Sequence, residues 1–169
     1  MNEFNVVGCC FEKHGERILE IFNDAILNST ALYEYEERTL AKVEQWFKVK
    51  EEGSFPVIGF ENAQGVLMGF VTYGAFRNFP ANAYTVEHSV YIHKDYRGLG
   101  LGFKLMQEII QAAKKNGIHT MIGGIDAQNE GSIRLHEKLG FRLVGTLPEV
   151  GFKFDRWLDL AFYQIILSH

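Results

Sequence analysis

The feature that most constrains this chain is a glycine-rich turn, RGLGLG, at residues 97–102. The run before it, YTVEHSVYI, is typical of a strand, and the run after it repeats apolar residues at helical spacing. Glycine costs chain entropy, so three glycines in one turn indicate that bare backbone is needed there. A strand, a glycine turn and a helix together present free N–H groups and the positive end of a helix dipole, which favour an anion such as phosphate.

The spacing of these glycines excludes the two familiar nucleotide motifs. They fall as G-x-G-x-G, whereas a dinucleotide fingerprint needs G-x-G-x-x-G. Gly102 is followed by Phe103 and Lys104, whereas a P-loop continues with Lys and then Ser or Thr. Taken alone, the turn fits either another kind of phosphate-binding loop or a flexible turn at the start of a helix.

The rest of the chain predicts a mixed α/β fold. Asn129 is a suitable N-cap for the last helix and Gly140 a suitable residue just beyond its end. Helices are predicted at 13–28, 40–51, 101–117 and 129–141. Strands are predicted at 4–11, 55–61, 66–74, 84–92, 119–125, 142–147 and 158–167. The third helix joins two strands as a crossover, so we expect those strands to be parallel in a mostly antiparallel sheet with helices on both faces.

Length and composition predict one domain, residues 1–169, without a membrane partner. No run of about 18 apolar residues occurs, and the N-terminus lacks the pattern of a signal peptide, so we expect a cytoplasmic protein. Cys9 and Cys10 are adjacent, cannot easily pair with each other, and are expected to be buried in the first strand. No His and Cys spacing predicts a metal site.

Charge is distributed unevenly along the chain. Residues 1–60 carry a net charge of −5, whereas residues 93–142, which include the glycine turn, carry +3. This excess favours a small anionic ligand, whereas nucleic-acid binding would require a stronger one.

The turn resembles the R/Q-x-x-G-x-G/A signature of the GNAT N-acetyltransferase superfamily, carried here by Arg97, Gly98, Leu99, Gly100, Leu101 and Gly102. The resemblance implies that this loop, with Phe103, holds the pyrophosphate of coenzyme A. Asn129 and Ser132, ahead of LHEKLGF, resemble the second cofactor segment of that family, where the Asn faces the pantetheine arm. Lys138 is either a further contact to a cofactor phosphate or a surface lysine.

The resemblance also implies a way of polarising the thioester of acetyl-CoA. In the family, the strand before the glycine loop splays from its parallel neighbour and leaves N–H donors free. Here the donors would be the backbone N–H groups of Val90, Tyr91 and Ile92.

Four longer stretches narrow the resemblance to one branch of the superfamily. IFNDAILNSTALYEYEERT, TVEHSVYI, GSIRLHEKLGF and FKFDRWLDLAFYQ are similar to the branch that acetylates phosphinothricin and methionine sulfoximine. This implies acetyl-CoA as co-substrate, a small amino-acid-like amine as acceptor, and a homodimer formed through the C-terminal strands.

Glu87 is the candidate base for this reaction. An aliphatic amine with a pKa near that of Lys, about 10.4, must lose a proton before it can attack. Glu87 stands mid-strand between apolar residues, and in the resembled branch a Glu here lies in the amine site. Alternation places Glu87 and Ser89 on one face of the strand and His88 on the other. The alternative is that Glu87 only pairs with Arg77 or a backbone donor.

His136 takes the place of the Tyr that protonates the leaving thiolate in many family members. It either delivers that proton or makes a structural hydrogen bond beside the cofactor. Tyr163 is a further candidate acid, although a Tyr in a last strand is more often part of the core.

Arg77, Asn78 and Phe79 correspond to the substrate loop of the branch, and Glu87, His88 and Ser89 complete the predicted substrate site. The fork of Arg77 suits a substrate carboxylate or phosphinate, and the alternative is a solvated loop charge. Two other functions stay open: acetylation of a protein N-terminus or another small amine, and a coenzyme A sensor without catalysis.

Overall fold

The computed structural model describes residues 3–167, in which helices and strands follow the predicted order. The helices are α1 Phe11–Asn28, α2 Leu40–Glu52, α3 Leu101–Lys115 and α4 Glu130–Lys138. The strands are β1 Asn5–Gly8, β2 Val57–Glu61, β3 Leu67–Ala75, β4 Thr85–Ile92, β5 Thr120–Asp126, β6 Arg142–Lys153 and β7 Arg156–Ile166.

The strands form one seven-stranded sheet in the order β1-β2-β3-β4-β5-β7-β6. In the described residues β4 and β5, joined through α3, run parallel, and every other neighbouring pair is antiparallel. The predicted crossover and mixed sheet are therefore confirmed.

Helices cover both faces of the sheet. Ile18, Ile21 and Phe22 of α1 pack with Phe70 of β3 on one face. On the other face α3 buries one stripe, and the cluster there consists of Leu101, Leu105, Met106 and Ile109 with Met121, Phe141 and Tyr163. None of the helices in the described part of the chain is long and apolar enough to cross a membrane.

The sheet parts between its two parallel strands. The ladder of β4 with β3 covers seven residue pairs, but its ladder with β5 covers only three and stops at Glu87 opposite Ile122. Beyond Glu87 the edge of β4 that faces β5 has no ladder partner among residues 3–167. The expected splaying of this strand is thus confirmed.

Two strand predictions need correction. The first strand ends at Gly8, because α1 already begins at Phe11 with Cys10 as its N-cap residue. Cys9 is therefore only partly buried after the strand and Cys10 is exposed, contrary to the expected burial of both. The sixth strand continues beyond Leu147 to Lys153, because it pairs along most of β7 in a long hairpin with an irregular register.

The tip of this hairpin holds the connection between α1 and α2. The buried ammonium of Lys153 donates to the carbonyl oxygens of Ser29 at 2.9 Å and Leu32 at 2.7 Å. Tyr35 donates its hydroxyl to the carbonyl of Phe152. A loop without regular structure is thereby held by two charge-assisted hydrogen bonds from Lys153 and one neutral hydrogen bond from Tyr35.

Lys153→Met should lower the free energy of unfolding by about 1–3 kcal/mol, because it leaves two carbonyl groups without their donor. Urea unfolding followed by fluorescence measures the change. Lys115→Met, at an exposed lysine of α3, is the control and should stay within about 0.5 kcal/mol. An equal effect of both variants would contradict the anchoring role of Lys153.

Candidate active site

A cavity of about 290 Å³ lies where β4 and β5 separate. It is bounded by the α1–α2 connection, by β4, by the end of β5 and by the start of α4. It brings together eight of the residues predicted from sequence: Glu87, His88, Ser89, Val90, Tyr91, Asn129, Ser132 and His136.

The glycine turn before α3 adopts a backbone conformation that favours glycine at two positions. Gly98 has φ +77° and Gly100 has φ +75°, and a Cβ at either position would meet nothing within 4 Å. Gly100 is the N-cap residue of α3, and no side chain caps this helix. The N–H groups of the first turn of α3 therefore face an open loop, which suits an anion. Arg97 lies at the edge of the loop and pairs with Asp24 at 2.6 Å.

The start of α4 is organised by Asn129. Its side-chain oxygen accepts from the N–H of Ser132 at 3.2 Å, so the predicted N-cap is confirmed. Gly140 follows the helix with φ +95°, the left-handed conformation expected beyond a helix end.

The carboxylate of Glu87 is the candidate base, and it is only partly buried. Burial raises its pKa above the ordinary Glu value. No hydrogen bond or ion pair from Arg77 or any other side chain of residues 3–167 engages it, so the pairing with Arg77 considered as an alternative is absent there. A Cβ on Gly124 would lie 3.2 Å from Oε1 of Glu87, so this glycine leaves room for the carboxylate. A partly buried, unpaired carboxylate with a raised pKa at a cavity is typical of a proton acceptor.

His88 lies on the opposite face of β4, as predicted. Its Nε2 is 2.9 Å from Nε2 of His136, and both rings are buried against Phe141. Nδ1 of His136 is 2.6 Å from the carbonyl oxygen of Ser132. Burial, together with neighbouring His136, lowers the pKa of His88 to about 3, and burial also lowers the pKa of His136.

Sequence reasoning missed two parts of the cavity wall. The first is the start of the α1–α2 connection, Thr30 to Tyr33. The second is Asp126, whose carboxylate accepts from Thr30 at 2.7 Å and from Arg156 at 2.7 Å. Burial acts to raise the pKa of Asp126, but these hydrogen bonds and the one from the Gln128 N–H hold it below its usual value. Its position after a buried strand was a usable signal, because ligands bind at the carboxyl ends of parallel strands.

Several predicted residues lie outside the cavity wall. Arg77 is exposed and its guanidinium lies 5.1 Å from the ring centroid of Phe79, with exposed Asn78 between them in sequence. Lys138 is exposed on α4. Tyr163 is buried in the core, with its ring centroid 6.4 Å from that of His136. Among residues 3–167 no three His, Cys, Asp or Glu side chains are grouped as metal ligands would be.

Comparison with known proteins agrees with this geometry. The model of the acetyltransferase (GNAT) family matches residues 16–141. The chain is 43% identical over 151 residues to the L-methionine sulfoximine/L-methionine sulfone acetyltransferase of Pseudomonas aeruginosa, covering 89% of this chain and 88% of that protein.

Two solved structures are similar over nearly the whole chain. The N-acetyltransferase from Staphylococcus aureus Mu50 has a TM-score of 0.95 and 44% identity, covering 98% of this chain and 99% of that one. The phosphinothricin acetyltransferase from Sinorhizobium meliloti in complex with AcCoA has a TM-score of 0.93 and 32% identity, covering 98% and 89%. The chain belongs to the acetyltransferase (GNAT) family, and its fold is the acetyltransferase fold.

Gly100→Ala should weaken binding of coenzyme A about tenfold, because a side chain at positive φ costs about 1–2 kcal/mol in the bound loop conformation. Titration calorimetry measures the affinity. Gly8→Ala is the matched control, since a Cβ there also meets open space but Gly8 has no positive φ. Equal affinities for the two variants would contradict a requirement for glycine at the loop.

Proposed function

We propose that this protein, acting as a single domain over residues 1–169, transfers the acetyl group of acetyl-CoA to the primary amine of a small amino-acid-like substrate such as L-methionine sulfoximine or phosphinothricin. The observation that carries the proposal is the unpaired carboxylate of Glu87 in the cavity beside the open edge of β4. The activities of the Pseudomonas and Sinorhizobium relatives support the choice of substrate class.

The residues divide the chemistry between them. The amine nitrogen attacks the thioester carbonyl carbon directly, an amide bond forms, and the C–S bond breaks. The amine proton passes to Glu87, directly or through water. Within Val90 to Ile92, the backbone N–H groups that face away from β3 stabilise the negative charge that develops on the carbonyl oxygen. The CoA thiolate takes up a proton to leave as the thiol, and its ordinary pKa of about 8.5 means that it needs little assistance.

The cofactor lies along the opening of the sheet in this proposal. The N–H groups at the start of α3 bind its pyrophosphate, with Arg97 at the edge of the loop. Asn129 and Ser132 at the start of α4 face the pantetheine arm. The cofactor-facing residues on β4, α3 and α4 therefore come from elements on both sides of the point where the sheet parts.

The acceptor occupies the end of the cavity next to Glu87 and Ser89. The walls there are the α1–α2 connection, held by Lys153 and Asp126, and the side chain of Leu160. Arg77 stays our prediction for the substrate carboxylate or phosphinate, since it lies exposed in the loop before β4 and has no acidic partner among the ion pairs of residues 3–167.

Glu87→Gln should lower kcat by roughly 10²–10⁴-fold, because removing a positioned general base has that effect. A thiol-release assay with acetyl-CoA and L-methionine sulfoximine, phosphinothricin, ordinary amino acids and a short peptide measures it. Because only the ionised carboxylate accepts a proton and burial raises its pKa, activity should fall as the pH drops through a value above the ordinary 4.5. The pH profile of Glu87→Gln should not show this fall in activity at low pH.

Glu52→Gln, at an exposed position of α2, is the control and should leave kcat unchanged. Full activity of Glu87→Gln would remove Glu87 as the base. Turnover of the peptide alone would assign the protein to acetylation of protein N-termini. Binding of coenzyme A without turnover of any amine would indicate a sensor.

We also propose that two copies associate through the β6–β7 hairpin. β6 is an edge strand of twelve residues that is exposed over nearly its whole length. The exposed apolar side chains of the hairpin are Leu143, Val144, Leu147, Val150, Phe152, Phe154, Trp157 and Ile166. An apolar patch of this kind on a soluble fold is typical of a protein–protein interface.

Val150→Lys should shift the monomer–dimer equilibrium toward the monomer by about tenfold or more, because it places a charge in an apolar interface. Sedimentation equilibrium measures the constant. Val49→Lys on α2 is the matched control, since Val49 is 49% exposed and Val150 50%. A wild-type chain that sediments as a monomer at all concentrations would refute the dimer.

A further inference from the structure

The His88–His136 pair has a hydrogen-bond pattern that fixes both tautomers. Nδ1 of His136 faces the carbonyl oxygen of Ser132 at 2.6 Å, and a carbonyl oxygen only accepts, so this nitrogen carries the proton. Nε2 of His136 is then an acceptor in the neutral ring. Nε2 of His88, 2.9 Å away, must be the donor. Burial lowers the pKa of both rings, so both imidazoles are neutral at pH 7, and the two contacts then give each ring this one tautomer.

The pair crosses the place where the sheet parts. The backbone ladder between β4 and β5 ends at Glu87 and Ile122, one residue before His88 and Gly123. From there the side chain of His88 passes over β5 and reaches His136 on α4. Among the side-chain hydrogen bonds of residues 3–167, this is the one that joins β4 to α4.

Gly123 is the residue that makes this crossing possible. A Cβ at position 123 would lie 2.7 Å from Nε2 of His88 and 3.1 Å from Nε2 of His136. Any side chain there would occupy the space of the hydrogen bond. The neighbouring Gly124 serves the other face of the sheet, beside Glu87, so the two glycines of MIGGI have separate purposes.

We propose that His88 and His136 are positioning residues: their hydrogen bond ties β4 to α4 across the gap and sets the width of the opening that receives the acetyl-CoA arm. Val90 and Tyr91 of β4 line one side of this opening, and Asn129 and Ser132 at the start of α4 line the other. This inference rests on the proposed function, because it assumes that acetyl-CoA binds in this opening. Of the two roles considered for His136, the proposal therefore selects the structural hydrogen bond, and His136 is not the acid that protonates the thiolate.

The occupancy of both ring nitrogens explains why His136 is unsuited to protonate the thiolate. One N–H donates to Ser132 and the other nitrogen accepts from His88, so the ring has no proton directed at the cavity. A second proton on Nε2 of His136 would face the N–H of His88, so His88 would have to carry its own proton on the buried Nδ1, which has no hydrogen-bond partner in residues 3–167. Burial of both rings also favours the neutral forms.

The test compares two side chains of similar length at position 88 in the full chain. His88→Gln retains an N–H that can donate to His136, whereas His88→Met has none. We expect His88→Met to raise the Kd of coenzyme A about tenfold, as loss of a buried hydrogen bond does, and His88→Gln to stay within about threefold. At saturating acetyl-CoA, kcat should change less than the affinity.

Equal Kd values for His88→Met, His88→Gln and wild type would overturn the proposal. So would a large loss of kcat with unchanged Kd in His136→Phe, which would make His136 the acid. Combining His88→Met with His136→Phe should add little to either change, because both remove the same bond. A wild type that binds coenzyme A but acetylates no small amine would refute the proposed function, while the Kd comparison would still decide the bridge.

A second measurement needs no variant and so does not depend on folding of the mutants. Long-range 15N–1H correlation spectra of histidine-labelled protein at neutral pH report the tautomers directly. His136 should carry its proton on Nδ1 and His88 on Nε2. Protons on both of the facing Nε2 atoms, or on neither of them, would contradict the proposed bridge.

Discussion

The interruption of one parallel ladder is the constraint on which the rest of this structure depends. β4 and β5 share three residue pairs and then separate, while β4 keeps its pairing with β3 for seven. A buried strand edge without partners is costly unless something else satisfies it. Under the proposed function this open edge receives the acetyl-CoA thioester, so the unpaired backbone and the proposed site are the same feature. The cavity, Glu87 and the histidine pair all lie at this separation.

Particular side chains and glycines occupy the gap between β4 and β5. The side chains of β4 alternate, so Glu87 and His88 leave the strand on opposite faces. Gly123 and Gly124 of β5 also face opposite sides of the sheet. Gly123 makes room for His88, and Gly124 makes room for Glu87. Two adjacent glycines in a buried strand weaken the strand. Gly123 makes room for the buried imidazole bridge, whereas Gly124 makes room for an unpaired carboxylate that is itself disfavoured by burial.

The cavity wall proposed to receive the acceptor amine is held by hydrogen bonds between residues distant in sequence. Lys153 and Arg156, at the end of the chain, hold the α1–α2 connection and Asp126 through hydrogen bonds of 2.7–2.9 Å. The hairpin that supplies these two cations is also the apolar surface for which we propose dimerisation.

Local pattern was enough to predict much of this protein. The glycine spacing at 97–102, the crossover helix, the cap at Asn129 and the alternation of Glu87 and His88 depend on neighbours in sequence, and each appears in the structure as expected. The short first strand, the exposed Cys10 and the long sixth strand were not predictable, because strand ends are decided by pairing partners elsewhere. The His88–His136 bridge joins residues 48 apart, and the Thr30–Asp126 bond joins residues 96 apart. Such contacts are decided only by tertiary structure, since a side chain's tautomer, burial and partner depend on what the fold brings beside it.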